Sequence, residues 1–397
     1  MNILKFFTKN EIEVVNIIRD LCKKRSIKVY IVGGAVRDAI LGSKIKDIDI
    51  CIDSNPNVII SELQHLKHCR YYQEFQTASL TFESGITIDL IRCRKEYYKK
   101  DGELPIIKPS HIYDDLYRRD FTINSLAYDI VKNDIIDIYG GIEDIKNKII
   151  RKIHLNSYRE DPTRIFRAVK YGVRYGFNLK DRDEIEQCIK ENIFNIISKD
   201  RITKEIYSLC CEVNWVKTIC LCNELKIFNI DGQALKIKYP AYMESLIYSF
   251  KNIDIRILRL FYALRDDTYI NILVENSILN KKLKSTIKYF AEKLQKIIDF
   301  TACTLDNYEL YSLLNNMNDY QLIFLSWNNK LKYKIYNYIS NMSNYKLSLN
   351  GNDVKALGIK EGKCIKKILN YIMKVELNTA LKWEEEYLLK DMGEIYK

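Results

Sequence analysis

The chain has 397 residues, 47% of them hydrophobic and 29% charged, with a formal net charge of +11. That length suits two or three domains, and the balance is that of a soluble globular protein. No run of about 18 apolar residues is present to span a membrane. The opening MNILKFFTKNEIEVV is broken by Lys5 and Lys9 and has no cleavage pattern of a secretory signal. The positive charge points to an anionic partner, nucleic acid before others, although the abundance of Ile, Asn, Lys and Tyr marks a compositional bias. Eleven cysteines are scattered without CxxC pairs, as at Cys22, Cys51, Cys93 and Cys303. They are expected to be reduced and buried, in a cytoplasmic protein. His65, His68 and Cys69 lie close together, but no second ligand pair follows at zinc spacing.

In chain order, helical patterning is expected near residues 11–24, 35–41 and 56–67. It alternates with short β-rich runs, VYIV (29–32), IDICI (48–52), SLTF (79–82) and ITIDLI (86–91), with ESG (83–85) as a hairpin turn. Residues 94–120 hold Gly102, Pro105 and Pro109 and lack clear periodicity at their centre, so they read as a long loop. Between residues 177 and 350 the only helix breakers are Gly232 and Pro240, which predicts an almost wholly helical region. The fold class is α+β: an N-terminal head with a mixed β-sheet and helices, followed by a long all-α region.

The stretch IVGGAVRDAILGSKIKDIDICID (31–53) carries the chemistry. VYIV runs into Gly33-Gly34 and a helix start, a turn in which backbone N–H groups approach an anion closely. Arg37 is placed to bind phosphate oxygens there. Neither GxxxxGK[ST] nor GxGxxG is present. In IDICI the side chains alternate, so Ile48, Ile50 and Ile52 face the core while Asp47 and Asp49 project together. Asp89 in ITIDLI leaves the apolar face in the same way. Three carboxylates on neighbouring strands beside a phosphate-binding turn suit Mg²⁺, which takes carboxylates plus substrate phosphate oxygens. The plain alternative is a solvated strand face.

GGAVRD followed by DID resembles the signature of the polymerase-beta nucleotidyltransferase superfamily. RRDFTINSLAYD (118–129), DIYGGIEDI (137–145) and EDPTR (160–164), in that order, narrow the resemblance to the class II tRNA nucleotidyltransferase and bacterial poly(A) polymerase family. GNDVKALGIKEG (351–362) is similar to the tail of CCA-adding members. The resemblance implies a catalytic head (1–140), a base-recognising neck (141–205), an RNA-binding body (206–300) and a tRNA-binding tail (301–397). It implies Asp47, Asp49 and Asp89 as catalytic residues, with the metal on Asp47 and Asp49. It also implies a nucleotide site of Gly33, Gly34, Arg37, Arg119, Asp120, Asp161, Arg164, Arg167 and Lys170. In that set Arg119 binds the triphosphate, Asp120 binds the ribose 2′-OH, and Asn124 supports the backbone.

Asp161 before Pro162 also has the form of a helix cap. In the following helix Ile165, Phe166, Val169, Val173 and Phe177 make an apolar side, and Arg164, Arg167, Lys170 and Arg174 cluster opposite. In the family the matching Asp and Arg read the Watson–Crick edge of the incoming base. Cytosine and adenine each present an amino donor beside a ring-nitrogen acceptor, so a carboxylate and a guanidinium select both and reject uracil and guanine. Two positions depart from the family. Lys170 stands where Arg is usual, and DRITKE (200–205) replaces ERxxxE, with Arg201 and Glu205 expected to pair along a helix.

The function expected is template-independent transfer of nucleotides to an RNA 3′ end, building or repairing the CCA of tRNA from CTP and ATP with Mg²⁺. No membrane and no obligate protein partner is implied. Sibling specificities (A-adding, CC-adding or poly(A)) share the motifs. From other classes, a small-molecule nucleotidyltransferase would hardly need the basic helical region, and a non-catalytic RNA binder would hardly keep Asp47, Asp49, Asp120 and Arg164.

Overall fold

Residues 1–228, 250, 253–263, 279–300, 305–327, 331–356, 359 and 362–379 are described in the computed structural model. The chain divides into two units, Met1–Ile237 with Glu275–Asn280, and Lys238–Val274 with Lys281–Lys397.

The first unit opens with α1 (Lys9–Lys24). Its Thr8 hydroxyl accepts from Glu11 N while the Glu11 carboxylate accepts from Thr8 N, a capping box, and Val14, Val15, Ile18 and Cys22 are buried at helical spacing. There follow β1 (Val29–Val32), α2 (Gly34–Ile40), β2 (Ile48–Ile52), α3 (Asn57–Ile60), β3 (Leu66–Tyr72), β4 (Thr77–Phe82) and β5 (Thr87–Arg92). After them come β6 (Arg94–Tyr97), β7 (Ile106–Pro109), α4 (Ile112–Tyr117), β8 (Ala127–Asp129), β9 (Asp134–Ile136) and α5 (Gly141–Lys146). Seven strands form one mixed sheet in the order β3-β4-β5-β2-β1-β8-β9. Only β2 and β5 run parallel, in a register that sets Asp49 beside Asp89. Ile48, Ile50 and Ile52 are buried, as the alternation requires, and so is Cys51.

Two expectations are corrected. The helix expected over 56–67 is the single turn α3; the chain then passes through His65 in the left-handed region and enters β3. β3 is a sheet edge exposed on both faces, so it lacks the apolar alternation that marks a strand. The loop expected over 94–120 contains the hairpin β6–β7 and helix α4. In RKEY and IIKP the alternating groups are mostly charges, which hides the period. Of the ten described cysteines, six are buried, but Cys69, Cys211 and Cys364 are exposed; all ten are free.

DIYGGIEDI folds as a capped turn. Asp137 accepts from Gly141 N (2.7 Å) and Ile142 N (2.9 Å), satisfying the first donors of α5. Gly141 packs against the Thr122 carbonyl so closely that a Cβ there would overlap it.

The unit continues through β10 (Ile149–Ile150), α6 (Ser157–Glu160), α7 (Thr163–Tyr175), β11 (Asn178–Leu179), α8 (Arg182–Lys190), α9 (Lys199–Cys210) and α10 (Trp215–Glu224). β10 and β11 pair in parallel, and α7 packs on α9 and α10. Ile165, Phe166, Ala168 and Val169 are buried in α7.

In the second unit every regular element among the described residues is helical. The helices are Ile255–Ala263, Lys281–Phe300, Asn307–Leu314, Asp319–Ser326, Lys332–Asn337 with a π turn to Met342, Gly351–Ala356 and Lys363–Thr379. Leu310, Leu314, Leu322, Leu325 and Ile335 anchor one core, and Leu349, Val354, Ile368 and Ile372 another. Gly232, Pro240 and part of 351–362 lie outside the described residues. Among the described residues no helix is long and apolar enough to cross a membrane.

Gly141→Ala forces the Thr122 carbonyl away from α5. We expect a loss of about 1–3 kcal/mol, read as a lowered urea midpoint; an unchanged midpoint would show that the turn can shift freely.

Candidate active site

Between the sheet and α7 lies a cavity of about 530 Å³ lined by Gly33, Gly34, Arg37, Asp47, Asp49, Arg119, Asp120, Asp161, Arg164 and Arg167. The structure thus gathers ten of the twelve residues named from sequence. Asp89 faces an adjoining cleft of about 290 Å³, whose lining also includes Asp47 and Lys46. Lys170 lies outside both linings and donates to Ser208 Oγ (3.1 Å).

One wall is acidic. Burial pushes the Asp49 carboxyl up to about 6, helped by the neighbouring charges of Asp89, Asp47 and Asp115 and opposed by Arg119. Among the described residues no three His, Cys, Asp or Glu side chains come close enough to enclose a metal by themselves.

The other wall is basic, and its guanidinium groups are held in place. Gly33 has φ +68°, and a Cβ there would stand 2.5 Å from one Arg119 terminal nitrogen; glycine at this turn lets Arg119 approach. Asp115, fully buried, accepts from Arg118 Nε (2.9 Å) and a terminal nitrogen (2.8 Å) at one oxygen, and from Arg119 (2.9 Å) at the other. Burial alone would raise its pKa, but Arg118 and Arg119 outweigh that and hold it below the usual range. Glu96, also on the cavity, accepts from Arg118 (3.2 Å) and Arg94 (3.1 Å). Sequence reading missed Asp115 and Glu96. The i, i+3 and i, i+4 spacing of Asp115 to Arg118 and Arg119 was the available signal; Glu96 had none.

Arg37 is a buried strut. It donates to Asp38 (2.9 Å) and to Asn124 Oδ1, and its guanidinium lies 4.7 Å from the Tyr175 ring centroid and 5.5 Å from that of Tyr171. Asp120 accepts from Phe121 N (2.8 Å) and Asn124 Nδ2 (2.9 Å) at Oδ1, and from Arg167 Nε (2.7 Å) at Oδ2. Burial would raise its pKa, yet Arg167, Asn124 and the Phe121 amide keep it low.

The cations of α7 are therefore not a solvated stripe. Arg164 is buried, Arg167 pairs with Asp120, and Arg174 donates to Glu212 (2.9 Å). Arg164 gives its terminal nitrogens to Ser157 Oγ (2.6 Å) and the Arg118 carbonyl (3.0 Å), with His154 Nε2 and the Ser157 carbonyl at 3.4 Å; among the described residues its Nε–H has no acceptor. Asp161 does cap α7, accepting from Thr163 N (3.1 Å) and Thr163 Oγ1 (2.7 Å). Arg201 reaches the same oxygen, Oδ1 (2.8 Å), and the Gly102 carbonyl (2.8 Å) in place of the expected pairing with Glu205. Among the described residues Oδ2 has no donor.

A family model described as the poly A polymerase head domain matches residues 29–151. An A-adding tRNA nucleotidyltransferase of Geobacter sulfurreducens is 26% identical over 92% of this chain and 45% of its own. A CC-adding tRNA nucleotidyltransferase of Deinococcus radiodurans is 34% identical over 37% of this chain and 41% of its own. The chain thus spans about half the length of these curated relatives. The solved structure of a CCA-adding enzyme in an apo form superposes with a TM-score of 0.77 at 25% identity, covering 99% of this chain and 97% of that one. The head-domain match over residues 29–151, the ordered motifs and the whole-chain superposition agree, and the chain is similar to class II tRNA nucleotidyltransferases.

Proposed function

We propose that the chain adds nucleotides to the 3′ end of tRNA without a template, building or completing CCA from CTP and ATP with release of pyrophosphate. The observation that carries this reading is the cavity itself. Carboxylates share its lining with Arg119, Arg164, Arg167 and Arg174, a charge pattern that fits a nucleoside triphosphate reacting at phosphorus. Its relatives are named for A, CC and CCA addition, which supports RNA as the acceptor. The A-adding relative covers 92% of this chain, so addition of A alone is the second reading.

In the reaction the RNA 3′-oxygen bonds to the α-phosphorus of the nucleotide as the bond to pyrophosphate breaks. The residues fit a magnesium ion. The donors are all oxygen, Asp49 is crowded by other carboxylates, and the set is open, as suits an ion that completes its shell with substrate phosphates and water. Asp47 and Asp49 would hold it, and when bound it supplies charge neutralisation and a more acidic attacking hydroxyl. Asp89 is assigned to the hydroxyl side, and Arg119, oriented by Asp115, to the triphosphate. Asp120 is assigned to the ribose, which favours NTPs over dNTPs. We assign 1–140 to catalysis, 141–205 to base recognition, and 206–300 and 301–397 to RNA binding.

Base choice rests on what Asp161 and Arg164 leave unused: one carboxylate oxygen, an acceptor, and one Nε–H, a donor. That pair matches the amino group and ring nitrogen of cytosine and adenine. Uracil or guanine leaves both unpaired, at about 1–3 kcal/mol each.

Transcripts of tRNA ending before CCA, after C and after CC, each given one NTP at a time, test the reading. We expect C on the first two and A on the third, resolved to single nucleotides; A on the third alone identifies an A-adding enzyme, and no extension of any refutes the proposal. Asp49→Ala is expected to abolish transfer while RNA retention persists, and a chelator to have the same effect until Mg²⁺ is restored. Persistent incorporation in the variant would remove the metal assignment. Asp161→Ala and Arg164→Ala are expected to raise UTP and GTP misincorporation about tenfold or more relative to CTP, measured by competition; undiminished rejection would rule out base reading by this pair.

A further inference from the structure

The hairpin β6–β7 has one face that the transfer chemistry does not use. Its register sets Lys95 directly opposite Lys108, and Tyr97 opposite Ile106. Alternation places Arg94 and Glu96 on one face and Lys95 and Tyr97 on the other. The first face is committed to the cavity wall, where Glu96 holds Arg94 and Arg118. On the second, Tyr97 is 46% exposed, Ile106 40%, and Lys108 is exposed as well. Both ammonium groups lie over the same ring, Lys95 Nζ at 5.3 Å and Lys108 Nζ at 5.6 Å from its centroid.

Like charges directly opposite one another destabilise a strand pair; among the described residues neither lysine forms an ion pair, and the one carboxylate that acts on Lys95 is Asp114. A face needed only for solubility would intersperse both signs. The connecting turn carries Lys99 and Lys100 together with Asp101 and Glu103, so the excess of positive charge is confined to the strand face. Two cations flanking an exposed aromatic ring match a polyanion that also offers flat bases.

We infer that this outer face is a binding platform for the RNA strand, in which Lys95 and Lys108 take backbone phosphates and Tyr97 stacks on an unpaired base. The inference rests on the reading of RNA as substrate. The Glu96–Arg118 pair ties the platform to the wall of the cavity, so a strand bound there is held in a fixed place relative to the transfer site.

The test is fluorescence anisotropy with a labelled RNA stem–loop carrying a short unpaired 3′ end, over a series of salt concentrations, with a blunt RNA duplex as the second probe. Lys95→Gln with Lys108→Gln is expected to weaken binding on the order of tenfold and to lower the salt slope by about 1.4, the share of two phosphates on a single strand. Tyr97→Ala is expected to weaken the overhang RNA about tenfold and the duplex little, with Tyr97→Phe restoring affinity. KM for CTP and ATP stays unchanged in all three. Unaltered RNA affinity and slope would overturn the inference, as would a nucleotide KM rising in step, which would place the defect on the Glu96 face. A wild-type protein that binds RNA through the hairpin yet adds no nucleotide leaves this inference standing and refutes the transferase reading.

Discussion

The structure depends on holding many charges of both signs in one poorly hydrated place. The parallel pairing of β2 with β5 brings Asp49 beside Asp89, and Asp47 lies just before β2 and lines the same cavity as Asp49. The same cavity is lined by six arginines, Arg37, Arg118, Arg119, Arg164, Arg167 and Arg174. A buried charge without a partner is too costly to keep. Each of these arginines therefore has an assigned protein acceptor. At Asp49 burial, with Asp89 and Asp47 beside it, favours the protonated form, and Arg119 is the main opposing charge.

The same pairs join the head to the helices behind it. Arg37 of α2 lies against Tyr171 and Tyr175 of α7, Asp120 binds Arg167, and Arg164 reaches the Arg118 carbonyl. Tyr171 has the cations of Arg37, Arg167, Lys170 and Arg174 all within 6 Å of its ring centroid. No linker composition separates residues 1–140 from 141–205 in the sequence; both stretches belong to one compact unit and both line the cavity.

Much of this was legible. β1 and β2 match the runs VYIV and IDICI residue for residue, because these central strands are short, largely apolar and rich in β-branched residues. The site motifs were legible because their residue types are chemically scarce in those patterns. The hairpin β6–β7 and the edge strand β3 were not, since a polar or two-sided exposed strand has no apolar period to detect. Partner choice was equally hidden. The pairing of Arg201 with Asp161 and Gly102 spans 40 and 99 residues of sequence, and a local i, i+4 rule favours Glu205 instead. Asp115 shows the converse: its two arginines lie within one turn, and helix spacing alone could have assigned it.

Capping and base reading look like rival explanations of Asp161, but they draw on different atoms. The Thr163 donors and Arg201 all converge on Oδ1, so the cap fixes the carboxylate's orientation and leaves Oδ2 unspent. Arg201 also holds the carbonyl of Gly102, whose own amide donates to the Glu160 carbonyl (3.1 Å). The tip of the hairpin connection, the helix cap and the proposed base-edge acceptor therefore meet at one guanidinium. A displacement of the tip must be felt at Asp161, because Arg201 cannot keep both bonds if its two acceptors move apart. Under the proposed function, one segment of chain would then present RNA on its outer face, wall the nucleotide cavity on its inner face, and steady the base-reading carboxylate at its tip.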